Sequence, residues 1–400
     1  MMTRHGITQA VVLAAGEGSR LRPLTRYQPK PMLRVGGRPI IEYPLDALVE
    51  AGIERATVVV GHGNTRIQNR FKNSYRGMEL SYARQDTQLG SGHALQMARE
   101  QATGAFVVVN GDTVIDDRMV TATIERYDGD VAGCLAVATS ETPADYGTVE
   151  VRDGLVEHVN EQRGEGSRCH EGTARINAGV YVFDETVFEA LAEAPSVNGE
   201  FPITGAVDRL DGRVLAVTPN GVWFDPSYPW DLLATNEAVL STHRELLGPT
   251  EPVAPTARIH DTAVIEEHVQ IGPDCRVSAG AIVRDGTTLQ ANTTVGENTV
   301  LEGSIVGPDT HVGASVVLRH TVVGSGARIG DGTVSTGGLA SLVVNGREYT
   351  DRRLGGVVAD RANVGGNVTI EPGCRIGTLG TVGPGVTLRE DVPEGATVIS

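Results

Sequence analysis

Leu13-Ala14-Ala15-Gly16-Glu17-Gly18-Ser19-Arg20-Leu21-Arg22-Pro23-Leu24-Thr25, followed by Pro29-Lys30-Pro31-Met32, is the stretch from which the fold is read. It begins where the apolar run 10–13 ends, the pattern of a buried strand that feeds a glycine-rich turn. Gly16 and Gly18 remove side chains where backbone must approach a ligand, and their N–H groups can form an anion-binding concavity. Arg20, Arg22 and Lys30 add positive charge within the same segment. Such a loop at the end of a first strand is suited to holding phosphates. It is not a Walker A loop, because no Gly-Lys-Ser/Thr follows, and it lacks the G-x-G-x-x-G spacing of a dinucleotide site. Read alone, a Gly-x-Gly after a strand is also an ordinary turn. Lysine decides between the two: it occurs only at 30 and 72, all other basic side chains being arginine, so a lysine set between two prolines here is read as functional.

The segment resembles the signature of the sugar-1-phosphate nucleotidylyltransferases, with Ser19 where that family usually has threonine. The resemblance implies that Leu13, Ala14, Ala15, Gly16, Gly18 and Ser19 bind the nucleotide and that Arg20 and Lys30 are catalytic.

Composition sets outer bounds. The 400 residues suggest two or three domains, and a net charge of −16 argues against broad nucleic-acid or membrane-surface binding. Acidic excess with arginine replacing lysine resembles proteins of salt-rich cytoplasm. Cys134, Cys169, Cys275 and Cys374 show no metal-site or disulfide spacing. No apolar run approaches the roughly 20 residues that span a bilayer, and no signal-peptide pattern opens the chain, so a cytoplasmic location is expected.

Through residue 247, apolar runs at 10–13, 56–60, 80–83, 105–109 and 131–137 alternate with helical patterns at 40–51, 66–72, 94–101 and 119–127. This predicts a Rossmann-like α/β domain over 1–247 with a mostly parallel sheet, whose ligands sit at the carboxyl ends of the strands. The candidate residues fall there. After the third run comes Arg84-Gln85-Asp86-Thr87-Gln88-Leu89-Gly90-Ser91-Gly92-His93-Ala94. Its glycines let backbone approach a planar base, and Gln85 offers a donor and an acceptor; the plain alternative is a helix start capped by Ser91. The run resembles the base-reading loop of the N-acetylglucosamine-1-phosphate uridylyltransferases, which implies that Gln85, Gly90 and Ser91 contact a uracil or thymine nucleotide.

After the fourth run comes Asn110-Gly111-Asp112-Thr113, and later Gly221-Val222-Trp223-Phe224-Asp225-Pro226. Mg²⁺ favours one or two protein carboxylates with phosphate and water completing its shell. In the family, residues matching Asp112 and Asp225 hold that metal, and the Trp-x-Asp form resembles the thymidylyltransferase branch, so UTP and dTTP both stay open. Between these segments, Tyr146-Gly147-Thr148-Val149, Val159-Asn160-Glu161-Gln162 and Ile176-Asn177-Ala178-Gly179 match the family's sugar side, implying Gly147, Glu161 and Asn177 as sugar-binding residues. The implied partners are a nucleoside triphosphate and glucose-1-phosphate or N-acetylglucosamine-1-phosphate.

A proline-rich break at 248–256 precedes a change of period. Apolar residues recur every six positions at Ile259, Ile265, Ile271, Val277, Val283, Leu289, Val295 and Leu301. They slip by one to Val306, Val312 and Leu318, slip again to Val323 and Ile329, and resume from Val358 to Leu388. A period of six fits neither an amphipathic helix nor a two-sided strand. It predicts triangular coils of three short strands over 257–400, and resembles the left-handed parallel β-helix of hexapeptide-repeat acyltransferases. Such prisms often form trimers in relatives and bind acyl-coenzyme A between subunits, so a homotrimer or larger assembly is expected. The halves together resemble bifunctional nucleotidylyltransferase/acetyltransferases. The acyl side departs from the pattern: Ala314 and Val317 stand where the family has its His-x-x-Tyr, and Gly337-Gly338 replaces an Asn-Tyr pair. That leaves acetyl-CoA doubtful as a cosubstrate, with His311 and His320 the nearest substitutes. The insertion 338–357, carrying Arg347, Arg352 and Arg353, is expected to reach a neighbouring subunit or an anionic ligand. A non-catalytic regulatory subunit is the remaining alternative, against which the intact Arg20, Lys30, Asp112 and Asp225 stand.

Overall fold

The structure is a computed structural model describing residues 6–61, 65–140, 146–160, 174–210 and 213–399. The described chain forms two compact units. One takes residues up to 17 together with 40–224; the other takes 18–39 together with 225–399. The arginine- and lysine-bearing loop therefore groups with the C-terminal half and not with the strand that precedes it.

Among the described residues of the first unit, ten strands form one sheet in the order Thr148–Arg152, Leu155–Asn160, Val214–Val217, Gly133–Ser140, Ala174–Phe183, Phe106–Asn110, Gln9–Ala14, Arg55–Gly61, Met78–Gln85 and Ser74–Tyr75. Gln9–Ala14 lies between two parallel neighbours, so it is buried on both faces and reads as a continuous apolar run. The helices Glu42–Glu50, Ser91–Gln96 and Asp117–Arg126 fall within the spans expected of them or begin a few residues earlier, each opposing its apolar stripe to the unit's interior.

The expectation of a mostly parallel sheet is corrected. Ala174–Phe183 runs antiparallel to both Phe106–Asn110 and Gly133–Ser140, and Thr148–Arg152 is antiparallel to Leu155–Asn160. For Thr148–Arg152 and Leu155–Asn160 the reason is the connection. A parallel pairing needs a crossover, usually a helix, whereas here Asp153 and Gly154 both take positive φ (52° and 83°) and turn the chain straight back. No helix in the described residues is long and apolar enough to cross a membrane.

In the second unit, two-residue strands from Arg258–Ile259 to Thr397–Val398 recur in threes. Arg258–Ile259 pairs in parallel with Arg276–Val277, Val264–Ile265 with Ile282–Val283, and Gln270–Ile271 with Thr288–Leu289. Repetition gives three parallel sheets of eight, seven and six strands among the described residues. The six-spaced residues Ile271, Val283, Leu289, Val295, Leu301, Val306, Val312 and Leu318 are fully buried, each contributing about 1.5–3 kcal/mol of apolar burial.

The period has a backbone cause. Three residues before each inward side chain from Val277 to Ser335, and again from Val364 to Leu388, lies a residue with positive φ: Asp274, Gly280, Gly286, Asn292, Asn298, Gly303, Asp309, Ser315, His320, Gly326 and Gly332 in the first run, and Arg361, Asn367, Gly373, Leu379 and Gly385 in the second. One left-handed corner per hexad turns the chain onto the next face. The two slips in the apolar pattern are slips in these corners, from Asn298 to Gly303 and from Ser315 to His320. Ser335 also occupies an inward position, three after Gly332. It is fully buried, accepting from Thr321 Oγ1 at 2.9 Å and from Gly356 N at 3.0 Å. The repeat thus runs one hexad further than its apolar residues suggest.

Within this unit the helix Pro229–Ser241 is tied to the coil by Asn236, whose side chain is fully buried. Its Oδ1 accepts from Gly36 N (2.8 Å) and Thr288 Oγ1 (2.9 Å), and its Nδ2 donates to Gly286 O (2.8 Å). The insertion expected to meet a neighbour is a β-hairpin, Leu339–Val344 with Arg347–Arg353, folded against its own chain.

Candidate active site

In the first unit, parallel register aligns the strand ends: Leu13 pairs with Val59 and with Asn110, and Gly61 with Gln85. Leu13, Ala14 and Ala15 are buried, and their carbonyls are clamped. Gly111 N donates to Leu13 O (2.8 Å) and Gln88 Nε2 to Ala15 O (2.9 Å). Gly16 follows, exposed, with open space where a side chain would stand. Its backbone is therefore available to a ligand.

The loop after Met78–Gln85 is held together by its own contacts. Gln85 is buried, and its Nε2 lies 3.0 Å from Gly90 O and 2.9 Å from His93 Nδ1, so the amide braces the loop from within. Gly90 (φ 95°) has no room for a Cβ because the Phe201 carbonyl oxygen would stand 2.8 Å from it, and the same oxygen would meet a Cβ on Gly92. Both glycines thus accommodate the chain's own backbone. Ser91 Oγ accepts from Ile203 N at 3.0 Å and does not cap its helix, whose N-cap is Gly90.

Asp112 is half-buried in the turn after Phe106–Asn110. It is not the cap of the following helix; Asp116 does that, accepting from Met119 N. Gly147 and Asn177 come together, Asn177 N donating to Gly147 O at 3.0 Å where a bulge interrupts Ala174–Phe183. Asn177 Oδ1 accepts from Gly179 N and its Nδ2 donates to Tyr181 Oη (2.7 Å), so this side chain is oriented before any ligand arrives. Beside it, Trp223 donates to Ala178 O (2.8 Å) and packs edge-on against Tyr146. Glu161 lies outside the described residues.

In the second unit, Gly18 (φ 64°) occupies a left-handed turn closed by Thr25 Oγ1, which donates to Gly18 O at 2.7 Å. A Cβ there would meet Lys30 Cβ at 2.9 Å, so this glycine serves the seating of Lys30. Lys30 is only 5 % exposed. Its Nζ donates to Asp225 Oδ1 at 2.5 Å and reaches Ser227 Oγ at 3.4 Å. Ser227 Oγ contacts both Asp225 oxygens at 2.9 Å. Burial pulls the Asp225 carboxyl up, but the Lys30 ammonium, then the Arg20 guanidinium and the Ser227 hydroxyl, outweigh it and hold the group below the usual carboxylate range. Arg20 lies over the Tyr228 ring, 5.2 Å from its centroid, and Ser19 Oγ accepts from Asn345 Nδ2 at 3.3 Å.

A carboxylate kept ionised, hard and oxygen-bearing fits a Mg²⁺ ligand, as does the half-buried Asp112. Sequence reading missed Thr25, Ser227 and Tyr228. Ser227-Tyr228-Pro229 reads as a helix start, and nothing in its spacing separates a cap from a residue that orients a carboxylate.

Comparisons with known proteins bear on the family of the chain. Over 96 % of its length the chain is 29 % identical to the bifunctional protein GlmU of Methanococcus maripaludis, covering 95 % of that protein. It is 34 % identical to the low-salt glycan biosynthesis nucleotidyltransferase Agl11 of Haloferax volcanii over 58 % of this chain and 66 % of the relative. It is 33 % identical to the UTP–glucose-1-phosphate uridylyltransferase AglF of the same organism over 56 % of this chain and 93 % of the relative. A solved UDP-glucose pyrophosphorylase complexed with UDP-glucose shares the fold, with a TM-score of 0.51 and 23 % identity over 58 % of this chain and 98 % of that one. Residues 249–340 match the family described as the GMPPB C-terminal domain. Residues 9–242, more than half of the chain, match the nucleotidyl transferase family, and the protein belongs to that family of enzymes.

Proposed function

We propose that the protein transfers a uridylyl or thymidylyl group from UTP or dTTP to a sugar 1-phosphate, glucose-1-phosphate or N-acetylglucosamine-1-phosphate, releasing pyrophosphate. The observation that carries the reading is the Lys30–Asp225 pair with Arg20 beside it: two cations of the glycine-rich segment held around one ionised carboxylate. UTP is favoured, since AglF of Haloferax volcanii is named for it.

An oxygen of the sugar phosphate attacks the α-phosphorus, the bond to the bridging oxygen breaks, and pyrophosphate leaves with that electron pair. The attacking phosphate is already ionised at neutral pH, so positioning and charge neutralisation supply the catalysis. Backbone from Gly16 to Ser19 and the Arg20 guanidinium receive the pyrophosphate. Lys30 exchanges its Asp225 partner for charge developing at the α-phosphate. Asp112 and Asp225 would hold Mg²⁺, which when bound neutralises the reacting phosphates. Gln85, Gly90 and Ser91 bind the nucleotide's base, and Gly147, Glu161 and Asn177 bind the sugar. The three parallel sheets of the second unit are assigned to a left-handed β-helix that assembles into trimers.

Pyrophosphate release tests this, crossing UTP and dTTP against both sugar phosphates with Mg²⁺ and with EDTA. Release that needs both substrates and disappears with EDTA supports the reading; silence from folded protein across the panel overturns it. A second reading, added N-acetylation of glucosamine-1-phosphate, draws on the likeness to a relative named bifunctional along 96 % of the chain. Acetyl-CoA consumption with glucosamine-1-phosphate separates the two.

A further inference from the structure

The coil does not need the hairpin Leu339–Val344/Arg347–Arg353. Val322–Val323 pairs directly with Val357–Val358, in the register used everywhere else, and Leu354 N donates to Gly338 O at 3.0 Å where the insertion leaves and returns. A two-stranded hairpin is marginally stable by itself, so this one is held by what it packs against.

What it packs against is the segment just after Asp225. Tyr349 is 5 % exposed, and its hydroxyl shares a hydrogen bond with that of Tyr228. Tyr228 stacks on Trp230 with centroids 4.6 Å apart and planes 7° from parallel, and the Tyr349 ring lies 4.9 Å and 5.3 Å from these two. Arg352 covers Trp230 at 5.6 Å, and Arg347 covers Tyr349 at 5.0 Å. Arg20 rests over the Tyr228 ring at 5.2 Å, and Asn345 at the hairpin's turn donates to Ser19 Oγ. An aromatic face attracts a guanidinium and fixes its plane, leaving its N–H edge to other partners.

We infer that the hairpin is a positioning element for nucleotidyl transfer: through Tyr349 it holds the Tyr228 ring under Arg20, and so presents that guanidinium to the pyrophosphate end of the nucleotide. The inference rests on the role assigned above to Arg20. Tyr349 touches no substrate; it acts through Tyr228.

The test compares the full-length chain with Tyr349→Phe, Tyr349→Ala, Arg20→Met and the Arg20→Met/Tyr349→Ala double variant. Steady-state kinetics are run with UTP, Mg²⁺ and glucose-1-phosphate, pyrophosphate binding is measured by calorimetry, and thermal unfolding is followed alongside. Tyr349→Ala should lower kcat/KM for UTP and weaken pyrophosphate binding by about tenfold, Tyr349→Phe by roughly threefold, leaving KM for the sugar phosphate unchanged. In the Arg20→Met background the Tyr349→Ala loss should shrink to within about twofold, because the two substitutions remove one interaction. Losses that multiply in the double variant, or a Tyr349→Ala enzyme with full activity and binding, overturn the inference. An Arg20→Met enzyme with unchanged kinetics and pyrophosphate binding overturns the assigned role of Arg20 itself. If Tyr349→Ala unfolds, Tyr349→Phe in both backgrounds carries the same comparison.

Discussion

The coil and the strand-end loops use the same residue type for opposite purposes. In the coil, positive φ recurs at the corners from Asp274 to Gly332 and from Arg361 to Gly385, and Asp, Asn, Gly, Ser, His, Arg and Leu all occupy it. The demand is mainly on the backbone, and where a Cβ on Gly280 or Gly332 would come close to anything it would meet the amide end of the Asn298 or Asn367 side chain, which can turn aside, so many residues meet the demand at a small cost. In the loops, Gly18 and Gly90 are fixed by one neighbour each, Lys30 Cβ and the Phe201 carbonyl oxygen. There the demand is for space as well as conformation, and only glycine answers. A repeated constraint tolerates substitution; a single close contact does not.

The largest expected effect lies on the loop side. On the role proposed for Lys30, Lys30→Ala should lower kcat by about 10²- to 10³-fold. It also leaves the half-buried Asp225 without its ammonium, which destabilises the fold, so kcat is to be read beside a thermal melt. Loss of folded protein with unchanged specific activity would remove Lys30 from the chemistry. Next comes Gly90→Ala. With φ 95° and ψ 174° and a carbonyl 2.8 Å from the new Cβ, it should destabilise by about 2–3 kcal/mol and raise KM for the nucleotide; a wild-type melt and KM would dissolve the contrast between loop and coil.

On the coil side effects should be small and can be favourable. Leu379 is 49 % exposed at φ 59°, so Leu379→Asn should stabilise by about 0.5–1 kcal/mol, seen as a higher melting temperature. A lower one would mean that this corner is held by its side chain. The smallest effect concerns His320. Burial pulls its imidazole below the ordinary value, Arg353 and Arg319 push the same way, and Glu302 and Glu237 oppose them. The folded state disfavours the charged ring, so this contribution is complete above about pH 6.5 and declines as pH falls from there. His320→Asn keeps a residue that tolerates the left-handed corner and should flatten the melting temperature between about pH 6.5 and 5. An unchanged slope would assign it to other groups.

The coil was nearly all legible in the sequence, because one physical requirement is written at nineteen apolar positions and errors cancel. Ser335 escaped since an inward position can be filled by a hydroxyl whose partners lie 14 and 21 residues away. The strands Gln9–Ala14, Arg55–Gly61 and Phe106–Asn110 were legible as apolar runs, yet the direction of Ala174–Phe183 was not, because direction depends on the connection and not on the strand. In the candidate site, residue types singled out segments that the fold places at strand ends and in the Lys30 turn. What those residues do at rest was hidden: Gln85 bracing its own loop, Gly90 making way for Phe201, and Lys30 paired with Asp225 are contacts between positions up to 195 apart. The hairpin carried no repeat and no motif, so its packing against Tyr228 had no signal at all.

The scarcity of lysine has a practical consequence. Lys72 is exposed and Lys30 is 5 % exposed, so the chain offers amine-acylating reagents one open side chain and one shielded one. Lys72 calibrates the dose of reagent, and modification at Lys30 reports how often its ion pair opens. Mass spectrometry of two peptides then becomes a footprint of occupancy, without any label being engineered into the protein.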